Sequence, residues 1–427
     1  AYEGSHGTYG YYLPFDDGSA IGDDESANTN DWTANNLAAT DVVPDSPENN
    51  FATANILAVN TSGAWTTKQG NLKILNSTNN KQIRGNFLMQ SGKWYWETRR
   101  HNNNNSDAQL SNGVGISLAS GYIENNPYQS ATNWSYYSHT GNKYNNNTSS
   151  SYGDSWNTAG DIVGVAFDAD NGAIWFSKNG TWQNSATASE IAAGTTTNAA
   201  YTSLTDSEGY VCVWWRTGGN NAVEMDINFG QNPSFNEELT GGDVGTEAGD
   251  GDALFKYPPP AGFKALCTEN FEDVTIGPNK DEQANDNFDT ITYLGNGEEL
   301  AVGTGGMRRP LDTMSIAQSL RFNDSSLHYD ITSSGNTRTF TFSAWVKRSS
   351  LGGTNGQYIY ADGKSSSTSS LNFDSNDKIY AQLRDTTGST SKYKLTTREF
   401  KSVQTWYHIV WRAVSYTHLT LPTTLNV

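Results

Sequence analysis

The stretch Glu224-Met225-Asp226-Ile227-Asn228 alternates polar and apolar residues. Such alternation predicts a β-strand on which Glu224, Asp226 and Asn228 share one face. Two carboxyl groups on one face could serve as nucleophile and general acid in the hydrolysis of a glycosidic bond. The amide of Asn228 cannot cycle a proton, so this residue adds no catalytic group. We interpret the strand as an ordinary outer face, and hydrolysis through Glu224 and Asp226 is the alternative.

Other motifs that carry chemistry are absent from the sequence. There is no Gly-x-Ser-x-Gly, no His-Glu-x-x-His, no phosphate-binding loop and no Cys-x-x-Cys, and the six histidines have no metal-ligand spacing. The acidic, amide-rich stretch from Asp24 to Trp32 could hold Ca²⁺ through oxygen ligands, but we interpret it as a solvated loop with Asx turns. The sequence therefore predicts no catalytic residue, no metal site and no cofactor.

Aromatic residues are concentrated between Tyr122 and Trp156, in a setting rich in Gly, Asn and Ser. Rings and amides together are typical of adaptable binding surfaces, because rings supply contact area at little rotamer cost and amides supply hydrogen bonds. The alternative is that half of these rings cap a hydrophobic core. The residues predicted to bind a ligand are Trp134, Tyr136, Tyr137, Tyr144, Tyr152 and Trp156.

The elements that must position these residues are short strands. The chain has 427 residues, of which 35% are hydrophobic and 17% charged, and 41 are glycines, a profile typical of all-β proteins with polar loops. The length suggests two or three domains. From Asp161 to Trp182 the pattern is strand, turn, strand, turn, strand, with turns at Asn171-Gly172 and Asn179-Gly180. Upstream, Trp94 and Trp96 share one strand face, and we expect at least one ring to be buried against this meander.

Four blocks in this order resemble the SPRY domain, and they are Gly92 to Glu97, Gly113 to Ile116, Asp161 to Trp182 and Asn228 to Phe235. The resemblance implies a concanavalin A-like β-sandwich that acts as a binding module and carries no catalytic residues. We place this domain at residues 51–267, with an acidic glycine-rich linker at Leu239 to Asp252. The string from Tyr257 to Cys267 is similar to one that trails SPRY domains in tailed-phage proteins, and we expect Leu254 to Cys267 to pack back on the sandwich.

A second sandwich is expected near the end of the chain. The pattern from Thr339 to Lys347 places Phe340, Phe342 and Ala344 on one strand face. The strings SLRFN, TFTFSAWVKRSS and WYHIVW resemble the laminin-G/concanavalin A-like domain of phage virion proteins. We assign residues 319–413 to an incomplete laminin-G-like jelly-roll sandwich. Residues 1–50 are expected to form an irregular segment, and residues 268–318 an acidic linker with a small β segment.

The last residues, 414–427, resemble a translated sequencing adapter. We therefore expect low order after Ala413 and no closing strands for the second sandwich. An open sheet edge there would expose unpaired backbone N–H and C=O groups. Limited proteolysis is expected to remove the region beyond about Met307 rapidly and to leave a resistant core from Phe51 to Cys267.

Charge and composition limit the partners. A net charge of −18 and a pI near 4.7 argue against nucleic acid and against anionic membrane surfaces. No apolar run approaches the roughly 20 residues that span a bilayer, so we expect no membrane insertion. The resemblance implies a tail-associated component of a phage virion that binds a host-surface glycan or protein and contacts other virion proteins. A homo-oligomer is compatible with this role, and a structural spacer without a ligand is an alternative function.

The chain contains two cysteines, Cys212 and Cys267. Cys212 lies in the apolar stretch from Val211 to Trp215, which favours a buried thiol. A disulfide between the two residues stays an alternative, because two cysteines do not decide the redox compartment.

Overall fold

The structure is a computed structural model that describes residues 6–59, 65–76, 80–101, 111–121, 127–217, 222–271, 291–292, 299–300, 316–323, 325–330, 339–352, 356–362, 369–384, 391–415 and 418–426. Within these ranges nearly all regular structure is β, as the sequence predicts. No helix in this described part of the chain is long and apolar enough to cross a membrane. Part of the aromatic stretch that begins at Tyr122 lies outside the described residues.

The strands follow one another along the whole chain. The N-terminal segment and the first sandwich contain β1 Thr33–Asn35, β2 Val42–Val43, β3 Ala54–Val59, β4 Trp65–Lys68, β5 Lys73–Asn76, β6 Lys81–Gly85, β7 Lys93–Arg100, β8 Ser111–Leu118, β9 Asn133–Tyr137, β10 Asn142–Asn145, β11 Thr148–Ser151, β12 Ile162–Asp168, β13 Ala173–Lys178, β14 Thr181–Trp182, β15 Tyr210–Thr217 and β16 Val223–Asn228. Next come β17 Glu247–Ala248, β18 Leu254–Phe255, β19 Lys264–Ala265, β20 Ile291–Thr292 and β21 Glu299–Leu300. The last part contains β22 Ser319–Leu320, β23 Ser326–His328, β24 Phe340–Lys347, β25 Gln357–Asp362, β26 Ser369–Phe373, β27 Ile379–Arg384, β28 Ser391–Leu395, β29 Trp406–Ser415 and β30 His418–Asn426.

Helical structure in the described residues is short. The α-helix α1 spans Ala188–Ala192, and Thr187 caps it because its side chain accepts a hydrogen bond from the N–H of Glu190. The 3₁₀ turns are Ala39–Asp41, Pro127–Gln129, Gly241–Asp243 and Thr268–Asn270.

Two antiparallel sheets form the first sandwich. One has the strand order β11-β10-β9-β8-β15-β6-β3, and the other has the order β14-β13-β12-β7-β16-β5-β4. Trp94 and Trp96 lie on the same face of β7 and are buried between the sheets, in one cluster with Val165 and Phe167 of β12. The expectation for these tryptophans is confirmed, and their burial contributes on the order of 2 kcal/mol or more for each ring.

The predicted meander corresponds to β12, β13 and β14. The turn between β13 and β14 has φ of 47° at Asn179 and 81° at Gly180, so both central residues adopt the left-handed conformation that a primed two-residue turn requires. The turn between β12 and β13 is longer, and of its residues only Gly172 has a positive φ, of 61°. Asn-Gly thus marks both turns, but only one of them is the tight type that the sequence predicts.

A second layer covers the outer face of the sheet that contains β7 and β12, in which β19 is the eighth strand. Phe255 and Phe263 pack there with Tyr95 and Trp175, and β19 runs parallel to β7. Residues 254–267 therefore pack back on the sandwich, as expected. The preceding segment corrects a prediction, because Leu239 to Asp252 is not an open linker: β17 pairs with β18 in a hairpin. Glycine permits this fold at position 251, because its φ is 76° and a Cβ atom added there would lie only 2.7 Å from Cys267 Sγ.

A buried carboxylate fixes this outer layer to the sandwich. Glu97 accepts hydrogen bonds from the backbone N–H groups of Lys256 and Tyr257, at 2.9 and 2.8 Å, and from the side chains of Asn228 and Tyr95. Burial raises the pKa of Glu97 to about 7, although these hydrogen bonds act in the opposite direction.

The second sandwich consists of a three-stranded sheet, β24-β29-β30, and a four-stranded sheet, β25-β26-β27-β28. Leu371, Ile379, Ile409 and Trp411 are among the fully buried residues between them. The expectation of no paired strand after Ala413 is wrong, since β29 runs to Ser415 and β30 pairs with it from His418 to Asn426. The pairing gives hydrogen-bond partners to the backbone N–H and C=O groups at the edge of β29. The register shifts between Val410 and Arg412, opposite Leu421 and Pro422, and proline has no N–H group to donate to the neighbouring strand.

The N-terminal segment is less irregular than expected, because it pairs with residues near the start of the second sandwich. Strand β1 pairs with β23, and β2 pairs with β22. Lys347 Nζ lies 2.7 Å from Asp45 Oδ2 and 2.7 Å from Asn50 Oδ1. Residues 6–50 therefore contact both sandwiches.

The two cysteines are free thiols. Cys212 lies between the sheets of the first sandwich, whereas Cys267 lies in the outer layer. The structure therefore contains no disulfide between them, and the buried-thiol interpretation of Cys212 is the one observed.

Candidate binding surface

Three of the six aromatic residues predicted to bind a ligand are core residues instead. Tyr136 and Trp156 are fully buried and Tyr152 is 6% exposed, and all three belong to the cluster between the sheets. Their rings pack on one another, with centroids 5.6 Å apart for Tyr136 and Tyr152. A ligand at the surface cannot reach them, so we remove these three residues from the candidate site.

Trp134 lies on the same strand face as Tyr136 and points toward the sandwich interior. It packs against the core and meets Tyr210 edge to face at 5.7 Å. The ring is half-buried at the margin of the sheet. Alternation along β9 therefore separates Trp134 and Tyr136 from Tyr137, which lies on the opposite face.

Tyr137 and Tyr144 come together on the outer face of the seven-stranded sheet. With Tyr128 they surround the fully buried ring of Trp215, and we call these four residues the first-sandwich patch. Tyr137 stacks on Trp215 with centroids 5.7 Å apart and planes 13° apart, and Tyr144 meets Tyr137 edge to face at 5.0 Å. Tyr128 lies 6.0 Å from Trp215 and 6.2 Å from Tyr144. The three tyrosines are half-buried, so part of each side chain is accessible at the surface.

A glycine makes room for this arrangement. In the register of the sheet, Gly113 of β8 lies opposite both Trp215 and Tyr137. A Cβ atom at Gly113 would lie 2.0 Å from Cε2 of Trp215, far inside van der Waals contact. The tryptophan ring therefore lies flat over the backbone of β8, and any larger residue at position 113 would displace it.

Polar atoms without partners lie beside Trp215. Gln82 stands opposite Trp215 in the sheet, and its Oε1 accepts a hydrogen bond of 3.4 Å from Asn133 Nδ2. Gln82 Nε2, Asn133 Oδ1 and Trp215 Nε1 are buried and have no hydrogen-bond partner. Each unpaired buried group costs about 1–3 kcal/mol. All three side chains are fully buried, so a ligand on the surface does not reach these atoms.

Sequence reasoning missed Tyr128 and Trp215. The signal for Trp215 is the pair Trp214-Trp215 within a strand, because alternation forces one of two adjacent rings to the outer face. Trp214 is the inner ring, and its Nε1 donates to Thr98 Oγ1 at 2.9 Å. Tyr128 carries no comparable signal, since a 3₁₀ turn outside the sheet positions it.

The predicted strand face of Glu224, Asp226 and Asn228 exists, but it is occupied by protein contacts. Asp226 is fully buried, and its carboxylate lies 3.4 Å from Arg99 and 3.7 Å from Lys73. Asn228 donates to Glu97 and to the carbonyl of Leu254. A buried, ion-paired carboxylate such as that of Asp226 is not available to attack or protonate a sugar at the surface.

His101, Asp226 and Glu238 are close enough together to hold a metal ion. His101 Nδ1 lies 3.2 Å from Asp226 and 3.0 Å from Glu238, and Nε2 lies 3.3 Å from Glu224. Lys73 and Arg99 each contact both Asp226 and Glu238. These cations already pair with the carboxylates of Asp226 and Glu238, so we describe the cluster as an ion-pair network.

The acidic stretch from Asp24 to Trp32 folds as Asx turns. Asp24 accepts hydrogen bonds from the N–H groups of Tyr12, Ser26 and Asn30 and from Ser26 Oγ. Burial alone would raise the pKa of Asp24, but these hydrogen bonds hold it below its usual value. The carboxylate oxygens of Asp24 thus accept hydrogen bonds that hold the loop together.

Comparisons with known proteins agree with two sandwiches in this order. Residues 93–215 match the family model described as SPRY domain, and residues 322–421 match the model described as Concanavalin A-like lectin/glucanases superfamily. The expected order of a SPRY domain followed by a laminin-G/concanavalin A-like domain is confirmed. Both are in general binding modules of proteins or glycans. No curated protein matches the chain.

Several solved structures are similar to part of the chain. The SPRY domain of human HERC1 has 16% identity and covers 41% of this chain and 96% of its own, with a TM-score of 0.32. A human SPRY domain has 13% identity, covers 38% of this chain and 94% of its own, and has a TM-score of 0.26. The PSpry domain of TRIM65 has 14% identity, covers 42% of this chain and 91% of its own, and has a TM-score of 0.29.

Proposed function

We propose that this chain is a non-catalytic binding protein of a tailed-phage particle that recognises a glycan or protein on the host surface through the first-sandwich patch. The observation that carries the binding site is the patch itself. Half-buried rings of Tyr128, Tyr137 and Tyr144 surround Trp215. Such a surface offers flat apolar contact, which suits the apolar faces of sugar rings and of side chains alike.

The assignment to a virion rests on resemblance in the short strings at Tyr257 to Cys267 and Thr339 to Lys347. In a particle, such a protein would also contact other virion proteins, and a homo-oligomer is compatible with this role. The extracellular phage particle is accordingly the proposed location.

Binding to arrayed bacterial polysaccharides and to a panel of whole bacterial cells tests the proposal. The full chain is compared with Tyr137→Ala and Tyr144→Ala, and with Tyr9→Ala as a matched control, because Tyr9 is an exposed tyrosine far along the sequence from the patch. We expect both patch variants to lose at least tenfold in affinity while the control keeps it. Binding that is equal in all four proteins would contradict the patch as the site, and no binding to any cell or polymer would favour a structural spacer.

The second candidate is a glycoside hydrolase that acts through Glu224 and Asp226. Incubation with β-glucans and measurement of new reducing ends separates the two functions. We expect no turnover. Turnover that Glu224→Gln abolishes would establish catalysis and overturn the non-catalytic assignment.

A further inference from the structure

The basic residues of this chain are concentrated in its second sandwich. Of the 27 Lys and Arg residues, ten lie between positions 339 and 426, which contain strands β24 to β30, together with only five of the 45 Asp and Glu residues. The second sandwich is therefore positively charged, although the net charge of the chain is −18. A protein with this distribution offers surfaces of opposite sign to its partners.

Unpaired cations lie at one edge of the four-stranded sheet. Strand β28 is the last strand in the order β25-β26-β27-β28, and its residues 392–395, with the sequence Lys-Tyr-Lys-Leu, are all exposed. Tyr393 is 61% exposed and Leu395 is 40% exposed. Neither Lys392 nor Lys394 forms an ion pair with any described residue. We call residues 392–395 the basic edge.

The four described carboxylates of the second sandwich have other partners. Two of them, Asp377 and Glu399, form ion pairs with other cations of this sandwich. The other two, Asp362 and Asp374, accept hydrogen bonds from backbone N–H groups. These groups do not neutralise the basic edge, so its positive charge is available to a partner.

A surface of the opposite sign lies in the N-terminal segment. Residues 14–31, which we call the acidic loop, line a cavity of about 290 Å³. Phe15 and Ile21 give the cavity an apolar lining, and its volume, at the lower end of the range for small-molecule sites, suits a single side chain. Exposed carboxylates surround this lining, and none of them forms an ion pair within the described part of the chain: Asp16, Asp17, Asp23, Glu25 and Asp31.

The acidic loop and the basic edge lie on opposite sides of the four-stranded sheet. Tyr12 holds Asp24 and Glu25 of the loop through two backbone hydrogen bonds. The neighbouring Tyr11 lies near Tyr360 of β25, so the loop is on the β25 side of the sheet. Strand β28 is three strands away from β25, which corresponds to about 14 Å. One molecule therefore presents its negative and its positive surface in different directions.

We infer that copies of this chain associate head to tail, with the basic edge of one copy against the acidic loop of the next. The lysines of the basic edge pair with the carboxylates, and Tyr393 places its ring against the apolar lining of the cavity. Two copies with a net charge of −18 repel each other at long range, but at 0.1 M salt the Debye length is only about 10 Å, so charges in direct contact decide the interaction. Such a contact is heterologous and leaves one free surface of each kind, so it continues to a ring or a filament. The inference does not depend on the first-sandwich patch, because none of the patch residues takes part.

Sedimentation velocity of the full chain at about 0.1 and 1 M salt tests the inference. We expect association that increases with protein concentration at the lower salt and is lost at the higher. Two double variants, Lys392→Glu with Lys394→Glu and Asp16→Lys with Asp23→Lys, should each weaken association at least tenfold. These four side chains have no hydrogen bond or ion pair within the residues that the structure describes, so the fold should be kept, and urea unfolding measures this.

A matched control and a mixture make the test specific. The double variant Lys68→Glu with Lys264→Glu changes the net charge of the first sandwich by the same amount as the reversal at the basic edge, and it should associate like the wild type. An equimolar mixture of the two interface variants should form a dimer and nothing larger, because one variant still supplies an acidic loop and the other a basic edge.

Four results would overturn the inference. They are a monomer at every concentration in low salt, unchanged association of either interface variant, no dimer in the mixture, and salt-sensitive binding of single-stranded DNA by the basic edge without self-association. The last result would assign this edge to a polyanion instead of a second copy of the chain.

Discussion

The carboxylate of Glu97 accepts a hydrogen bond of 2.8 Å from the backbone N–H of Tyr257, which lies 160 positions further along the chain. Burial raises the pKa of Glu97 to about 7 from the ordinary value of 4.5. Between these two pH values the folded protein keeps a proton that the unfolded chain has lost. The contribution of Glu97 to stability is therefore complete below about pH 4.5 and is lost as pH rises through about 7.

Glu97→Gln removes this titration. We expect the free energy of unfolding of the wild-type protein to fall relative to the variant between pH 5 and 8, by up to about 3 kcal/mol for a shift of this size. Urea unfolding at several pH values measures it. Glu247→Gln is the control, because Glu247 is exposed in the same outer layer, and its pH profile should parallel the wild type. A constant difference between wild type and Glu97→Gln would contradict the prediction.

Trp156→Ala and Tyr144→Ala separate the core aromatics from those of the first-sandwich patch. Trp156 is fully buried, so its removal should cost about 3–5 kcal/mol of unfolding free energy. Tyr144 is half-exposed, and its removal should cost about 1 kcal/mol or less. Urea unfolding of both variants gives the comparison. A Tyr144→Ala variant as unstable as Trp156→Ala would show that the patch is a structural element.

Gly113→Ala should displace the ring of Trp215, because the added Cβ atom would lie 2.0 Å from it. Overpacking of this kind costs about 1–3 kcal/mol. Near-ultraviolet circular dichroism should change with the tryptophan environment, and binding by the patch should weaken. Gly242→Ala is the matched control, since no atom lies within 4 Å of its Cβ position. Identical spectra for the two variants would contradict the packing described for Gly113.

Arg321 and Asp41 form a buried ion pair between the second part of the chain and the N-terminal segment. Their side chains are each 8% exposed, with Arg321 Nη2 3.6 Å from Asp41 Oδ1, and Arg321 also contacts Asn232 and Asn236 of the first sandwich. A double-mutant cycle with Asp41→Asn and Arg321→Gln should give a coupling energy of about 1–3 kcal/mol. A coupling near zero would mean that the two side chains act independently.

Cys212 and Cys267 should both be unreactive thiols in the folded protein. Burial raises the pKa of the Cys267 thiol to about 11 and that of the Cys212 thiol well above its ordinary value, so neither forms a thiolate at neutral pH. Titration with a thiol reagent should detect neither residue in native buffer and both in denaturant without reductant. Detection of neither residue in denaturant would indicate a disulfide.

The sheet framework was predictable because its signals are local. Alternation placed Trp94 and Trp96 on one face, and Asn179-Gly180 fixed a turn, since both depend on backbone geometry within a few residues. The candidate site was predictable only in part. Composition singles out Tyr137 and Tyr144, which lie on the outer face, but it cannot tell an outer face from an inner one, so it also singles out Tyr136, which is buried.

Distant pairings were not predictable from local patterns. Nothing within residues 33–43 indicates that they pair with residues 319–328, since two-residue and three-residue strands have no measurable period. The strand β30 escapes prediction for a different reason. Its sequence resembles a translated adapter, which indicates no structure, whereas its β-branched residues suit a strand beside an open sheet edge.

The pairing of the N-terminal segment with the second sandwich constrains the order of events during synthesis. Tyr329 donates a hydrogen bond to Asn30, which emerges from the ribosome 299 residues earlier. At about 5–20 residues per second, that interval is roughly 15–60 s. Residues 51–267 of the first sandwich all emerge within that interval, whereas the N-terminal segment must wait for its partner strands β22 and β23. The oldest residues of the chain therefore stay unpaired until most of the protein has been synthesised.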